Sequence, residues 1–99
     1  SPTETLIGEL RRRGAEVAIH DPWVKSYAHD INQVVEGAHA AVFMVAHDAY
    51  KKLSLGKLKE QLSVPVVIDG RSIFEPTAAH TAGIEFRAIG RPYAGASHA

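Results

Sequence analysis

Runs of apolar residues too short for helices alternate along this chain with stretches of helical period. Val66-Val67-Ile68, opened by Pro65, reads as a strand buried on both faces. Ala40-Ala41-Val42-Phe43-Met44-Val45-Ala46 is a continuous apolar run, which predicts a central parallel strand. Val17-Ala18-Ile19, ended by His20-Asp21-Pro22, predicts the first strand, and residues 84–89 the last. Helices are predicted between them. Ser1-Pro2-Thr3-Glu4 has the pattern of a capping box with proline at the first helical position. Leu6, Ile7 and Leu10 then form a stripe that Gly14 stops. Asp30 opens a second helix, with Ile31, Val34 and Val35 on one face and Gly37 as its stop. Asp48 is placed to cap a short turn through Lys52. Ser54 caps a helix whose Leu55, Leu58 and Leu62 face the core, and residues 76–82 form a last helix closed by Gly83.

Helix and strand thus alternate four times, with connections long enough for right-handed crossovers. This predicts an α/β fold, a Rossmann-like three-layer sandwich around a mainly parallel sheet. Such folds normally open on a strand, whereas this chain opens on a helix cap. The pattern therefore predicts a first strand ahead of Ser1, and a chain that is a piece of something longer. Residues 1–90 are read as one domain and residues 91–99 as a small, polar tail expected to be partly disordered.

Composition narrows the classes. Ninety-nine residues suffice for one core. The formal net charge of zero does not indicate a broad basic surface for nucleic acid, and no run is long enough to cross a bilayer. The absence of cysteine removes a disulfide scaffold, a thiolate nucleophile and cysteine-held metal, and is compatible with the cytoplasm. Six histidines are present, but none are paired at a zinc-like helical spacing, so no metal site is expected. His20-Asp21 and His47-Asp48 read as strand-end residues bonded to neighbouring turns. Arg11 to Arg13 read as a solvated last turn favourable to the helix dipole rather than a phosphate patch. Trp23 and Tyr27 are expected to pack. Ser72 lacks the G-x-S-x-G elbow of a hydrolase.

Asp69-Gly70-Arg71 follows directly on the third strand. In open α/β sheets, ligands sit outside the carboxyl ends of strands, so these three residues are the candidate site. Gly70 offers a turn with positive φ and close ligand approach. Arg71 offers a planar, permanently charged fork suited to a phosphate or diphosphate. The competing reading is a strand-end turn whose arginine pairs with Asp69 or a helix C-terminus.

With these residues in view, the chain resembles the C-terminal, UDP-binding domain of the UDP-glucose/GDP-mannose dehydrogenase family. The likeness is carried by the Ser1-Pro2-Thr3 helix, Gly14-Ala15-Glu16-Val17 through His20-Asp21-Pro22, and the His47-Asp48-Ala49-Tyr50 turn. It continues through Val64 to Arg71 with Ile73-Phe74, and Ile89-Gly90-Arg91. The His-Asp-Pro block leans toward members acting on UDP-N-acetyl-hexosamines. The resemblance implies a UDP-sugar-binding domain of an NAD-dependent enzyme that oxidises the sugar C6 hydroxyl to a carboxylate. Arg71 matches the substrate-contacting arginine, while Asp69 and Gly70 shape the loop. NAD and the cysteine and lysine chemistry belong to N-terminal and central domains outside this sequence, which has no G-x-G-x-x-G fingerprint; no catalytic residue is assigned here. Ser72 stands where many members have Asn.

In the family, a strand lies between the first and second strands found here. Without it, those strands would face a gap or pair with each other or with another chain, so an intertwined or edge-paired homo-oligomer is expected. The alternative to the dehydrogenase reading is a stand-alone α/β nucleotide-binding or oligomerisation module with no catalysis.

Overall fold

Helix α1 (Pro2–Arg12) begins on the reciprocal cap its sequence prescribes: the Glu4 amide donates to Ser1 Oγ at 3.3 Å and the terminal amine donates to Glu4 Oε2 at 3.5 Å. Gly14, at φ 96°, follows its end. In this computed structural model, which describes residues 1–89, the chain falls into two compact units, Ser1–Val34 and the part from Val35 onward. The first unit continues past α1 through a segment without regular secondary structure to a short 3-10 turn at Lys25–Tyr27, closed by the Asp21 amide on the Tyr27 carbonyl at 2.9 Å.

Two expectations fail in this unit. Residues 17–19 form no strand, because no described residue pairs with them in a ladder. Trp23 is 77% exposed and Tyr27 41%, so neither is packed inside. The Asp21 carboxylate, which accepts the Trp23 amide at 2.9 Å, folds the turn tightly, and its side chains point outward.

The second unit opens at the end of helix α2 (Ile31–Val35), followed by Gly37 at φ 77°. It then runs β1 (Ala41–Phe43), α3 (Asp48–Lys51), α4 (Leu55–Gln61), β2 (Val66–Asp69), α5 (Pro76–Thr81) and β3 (Glu85–Ala88). The three strands pair in parallel in the order β1-β2-β3. The protein is α/β, as the alternation predicts.

Strand register explains the packing. Phe43 lies beside Asp69, Val67 beside Phe86, and Ala41 beside Val67, so Phe43, Val67, Asp69 and Phe86 share one face. That face is the core: Val67 is fully buried, Phe86 and Leu58 are 1% exposed, and Ala79 and Ile84 join them. Phe43 meets Tyr50 and Phe74 edge-on, at centroid distances of 5.6 and 5.1 Å. The other face carries Val42, Val66, Ile68, Glu85 and Arg87, all half-buried or exposed. Strand β2 is therefore buried on one face rather than two. The apolar run around β1 is also not central. Among the described residues it is an edge strand of three residues, with Val42 and Val45 more than a third exposed, because nothing pairs with its outer side. Residues 90–99, including the predicted tail and the Gly90-Arg91 pair, lie outside the described residues.

Candidate functional site

Strand β2 ends on a carboxylate that is completely buried. An unpartnered carboxylate there would carry a large desolvation cost, and the loop that follows supplies its partners. Asp69 Oδ1 accepts the Arg71 amide at 3.0 Å, and Oδ2 accepts the Ile73 and Phe74 amides at 2.8 and 2.9 Å. One side chain thus gathers three of the four amides in residues 71–74. Charge-assisted bonds of this kind are stronger than neutral ones, so the loop is held by its own strand end.

Gly70 is needed for a different reason from the one its position suggests. Its φ is not positive. Its amide donates to the Phe43 carbonyl at 2.8 Å, and a Cβ there would sit 3.2 Å from that oxygen and 3.3 Å from Met44 Sδ. A side chain there would crowd the neighbouring strand end, and glycine avoids that crowding. The left-handed conformation falls instead on Ser72, at φ 56°, the only non-glycine residue with positive φ among the described residues. With the amides on both sides anchored to Asp69, the chain turns at Ser72 despite the cost to a residue with a Cβ.

Arg71 stands on this loop with an exposed side chain at the carboxyl end of the central strand. Its backbone amide, not its guanidinium, is what Asp69 binds. Among the described residues the guanidinium has no hydrogen bond or ion pair. The competing pairing with the Asp69 carboxylate is thereby excluded. The three predicted residues are consequently brought together in unequal roles: a buried organiser, a spacer and an exposed cation.

The remaining candidates resolve locally. His47, not Asp48, caps α3: its Nδ1 accepts the Ala49 amide at 3.0 Å, and its ring stands 5.9 Å from that of Tyr50. Arg12 and Arg13 both pair with Glu9, the latter at 2.8 Å, and Arg11 donates to the Val17 carbonyl at 3.5 Å. These contacts fit a solvated helix end. No group of three or more potential metal ligands occurs among the described residues. No helix among them is long and apolar enough to cross a membrane.

Sequence reasoning missed the Asp69 amide network and the strained Ser72. An aspartate followed at once by turn residues was the available signal for the first, since Asp bonds backbone amides two residues on. Nothing in the residue type of Ser72 signals positive φ.

Residues 1–76 match the UDP binding domain of the UDP-glucose/GDP-mannose dehydrogenase family. The chain belongs to this family. It is 31% identical over 91 residues to a UDP-N-acetyl-D-mannosamine dehydrogenase of Pyrococcus horikoshii, covering 92% of this chain and 21% of that protein. It is 29% identical over 103 residues to a UDP-glucose 6-dehydrogenase of Bacillus subtilis, covering 93% and 22%. Its fold matches that of NDP-N-acetyl-D-galactosaminuronic acid dehydrogenase from Methanosarcina mazei with a TM-score of 0.86 at 31% identity, over 99% of this chain and 22% of that one. The chain spans about a fifth of the length of these relatives.

A dinucleotide cofactor does not fit the residues present. The Rossmann fingerprint needs closely spaced glycines between a strand and a helix N-terminus. Here β1 is followed by Met44-Val45-Ala46-His47 and β2 by Gly70-Arg71-Ser72. No step through NAD is assigned to this chain.

Proposed function

We propose that this domain binds the nucleotide end of a UDP-sugar for an NAD-dependent dehydrogenase that oxidises the sugar C6 hydroxyl to a carboxylate. NAD and the oxidation chemistry belong to other domains of the longer enzyme, acting in the cytoplasm. Arg71 is the anchor. The observation that carries this reading is the pairing of an unengaged guanidinium with a loop whose backbone is already held by a buried carboxylate. The backbone of such a loop is already ordered when an anion arrives, so the ordering cost is confined to the arginine side chain. The planar fork matches two oxygens of a diphosphate. The relatives named above, which act on UDP-sugars by their names, support the choice of ligand.

Titrating UDP and UDP-sugars into the wild-type chain and Arg71→Ala, by calorimetry, tests the anchor. Arg71→Ala is expected to weaken binding by about 1.5–3 kcal/mol, or about 10- to 150-fold in Kd. Saturable binding that Arg71→Ala leaves unchanged would remove Arg71 from the site.

A further inference from the structure

The loop that Asp69 holds leaves one amide over. Arg71, Ile73 and Phe74 give their amides to the buried carboxylate at 3.0, 2.8 and 2.9 Å. The Ser72 amide donates to no described residue, and the Ser72 hydroxyl has no described partner either. Ser72 is exposed, so both donors are open to a ligand. The amides before and after it are fixed to one carboxylate, so its own N–H is held in place from both sides without being used.

The backbone points the same way. Ser72 stands at φ 56°, a conformation that glycine takes at no steric cost. Strain of this kind persists where the surrounding structure imposes it, and it gathers at ligand-binding sites. What serine brings to the position beyond glycine is a hydroxyl. Arg71 is the preceding residue, with an exposed guanidinium that has no described partner. Consecutive Cα atoms lie about 3.8 Å apart, so a permanent charge and two neutral donors share one short stretch of the rim. An arginine fork takes two oxygens of a phosphate and leaves others to be bonded. A backbone N–H already held in place adds a bond with no side chain to order.

We propose that Ser72 is a second ligand-binding residue, whose backbone N–H and hydroxyl donate to the phosphate group whose charge Arg71 meets. This rests on the reading of Arg71 as the anchor for a nucleoside diphosphate, and adds the residue that orients the anion. Arg71 supplies attraction, and Ser72 fixes where the phosphate sits.

The competing role is a serine that only turns the chain, and the two roles part at glycine. A turn alone is served better by glycine, so Ser72→Gly would then bind at least as tightly as wild type. As a ligand residue, Ser72→Gly loses the hydroxyl bond, and UDP and inorganic pyrophosphate are expected to bind about 3- to 10-fold more weakly by calorimetry. Urea titration is expected to show this variant no less stable than wild type, which separates lost affinity from lost fold. Ser72→Asn tolerates left-handed backbone and restores a side-chain donor, and is expected to recover most of the affinity. In proton–nitrogen correlation spectra the Ser72 amide is expected to move downfield as pyrophosphate is added. The Arg71, Ile73 and Phe74 amides, already bonded to Asp69, are expected to move little. Unchanged affinity in Ser72→Gly, or a Ser72 amide that does not respond at saturation, overturns the proposal. Arg71→Ala, titrated alongside, tells that failure from failure of the anchor: if it weakens binding while Ser72 stays silent, the anchor stands without Ser72. Without saturable binding of either probe to wild type, both fall.

Discussion

Strand β3 borders one side of the sheet with Glu85 and Arg87 on its open face, 3.6 Å apart, whereas β1 borders the other with Val42 and no charge from residue 40 to residue 46. Both strands place one aromatic in the same core, Phe86 at 1% exposure and Phe43 at 5%. The contrast lies on the other face and along the rim. The β3 side carries charges that resist a further strand, and the β1 side carries nothing that does. Strand β2 lies between them, and its terminal carboxylate organises the loop that bears Arg71. The candidate site thus grows from the strand that has described neighbours on both sides.

The comparison can be broken most directly at its centre. Asp69→Ala leaves the Arg71, Ile73 and Phe74 amides without their acceptor, and is expected to destabilise the fold by about 3–5 kcal/mol in urea titration. A loss below about 1 kcal/mol would mean the loop is held by something else. Phe86→Ala, on the inward face of β3, is expected to cost about 3–4 kcal/mol by the same measurement. Val42→Thr, at low protein concentration, is expected to cost less than about 1 kcal/mol, since the side chain is partly in water already. If it cost as much as Phe86→Ala, β1 would not be an open edge. Ser72→Gly is expected to stabilise by about 0.5 kcal/mol, because relief of the left-handed strain exceeds the added freedom of the unfolded chain. Glu85→Gln should shift stability by less than about 0.5 kcal/mol, as the ion pair is more than half exposed.

Particular residues show how far the fold could be read in advance. Ser1, Ser54, Gly14, Gly37 and Gly83 mark helix ends where they were expected, because capping and positive φ depend on a few adjacent residues. The carboxyl end of β2 was legible as the place for Asp69, Gly70 and Arg71 because the apolar run from Val66 to Ile68 ends there and a turn-forming glycine follows. The roles within that triplet were less legible. Gly70 serves close approach to the Phe43 carbonyl and Met44, and positive φ falls on Ser72 instead. His47 displaced Asp48 as a cap because its ring nitrogen reaches the Ala49 amide.

From the residues alone came the alternation of helix and strand, the parallel α/β class and the position of Arg71 just past a strand end. These follow from periodicity and from turn chemistry, which act over a few neighbours along the chain. Only the tertiary arrangement decided that, among the described residues, 17–19 form no strand and the apolar run of residues 40–46 lies at an edge, and that Asp69 turns inward to hold three amides. Each of these depends on which segment lies alongside, because a ladder needs two partners and a buried carboxylate needs donors brought to it.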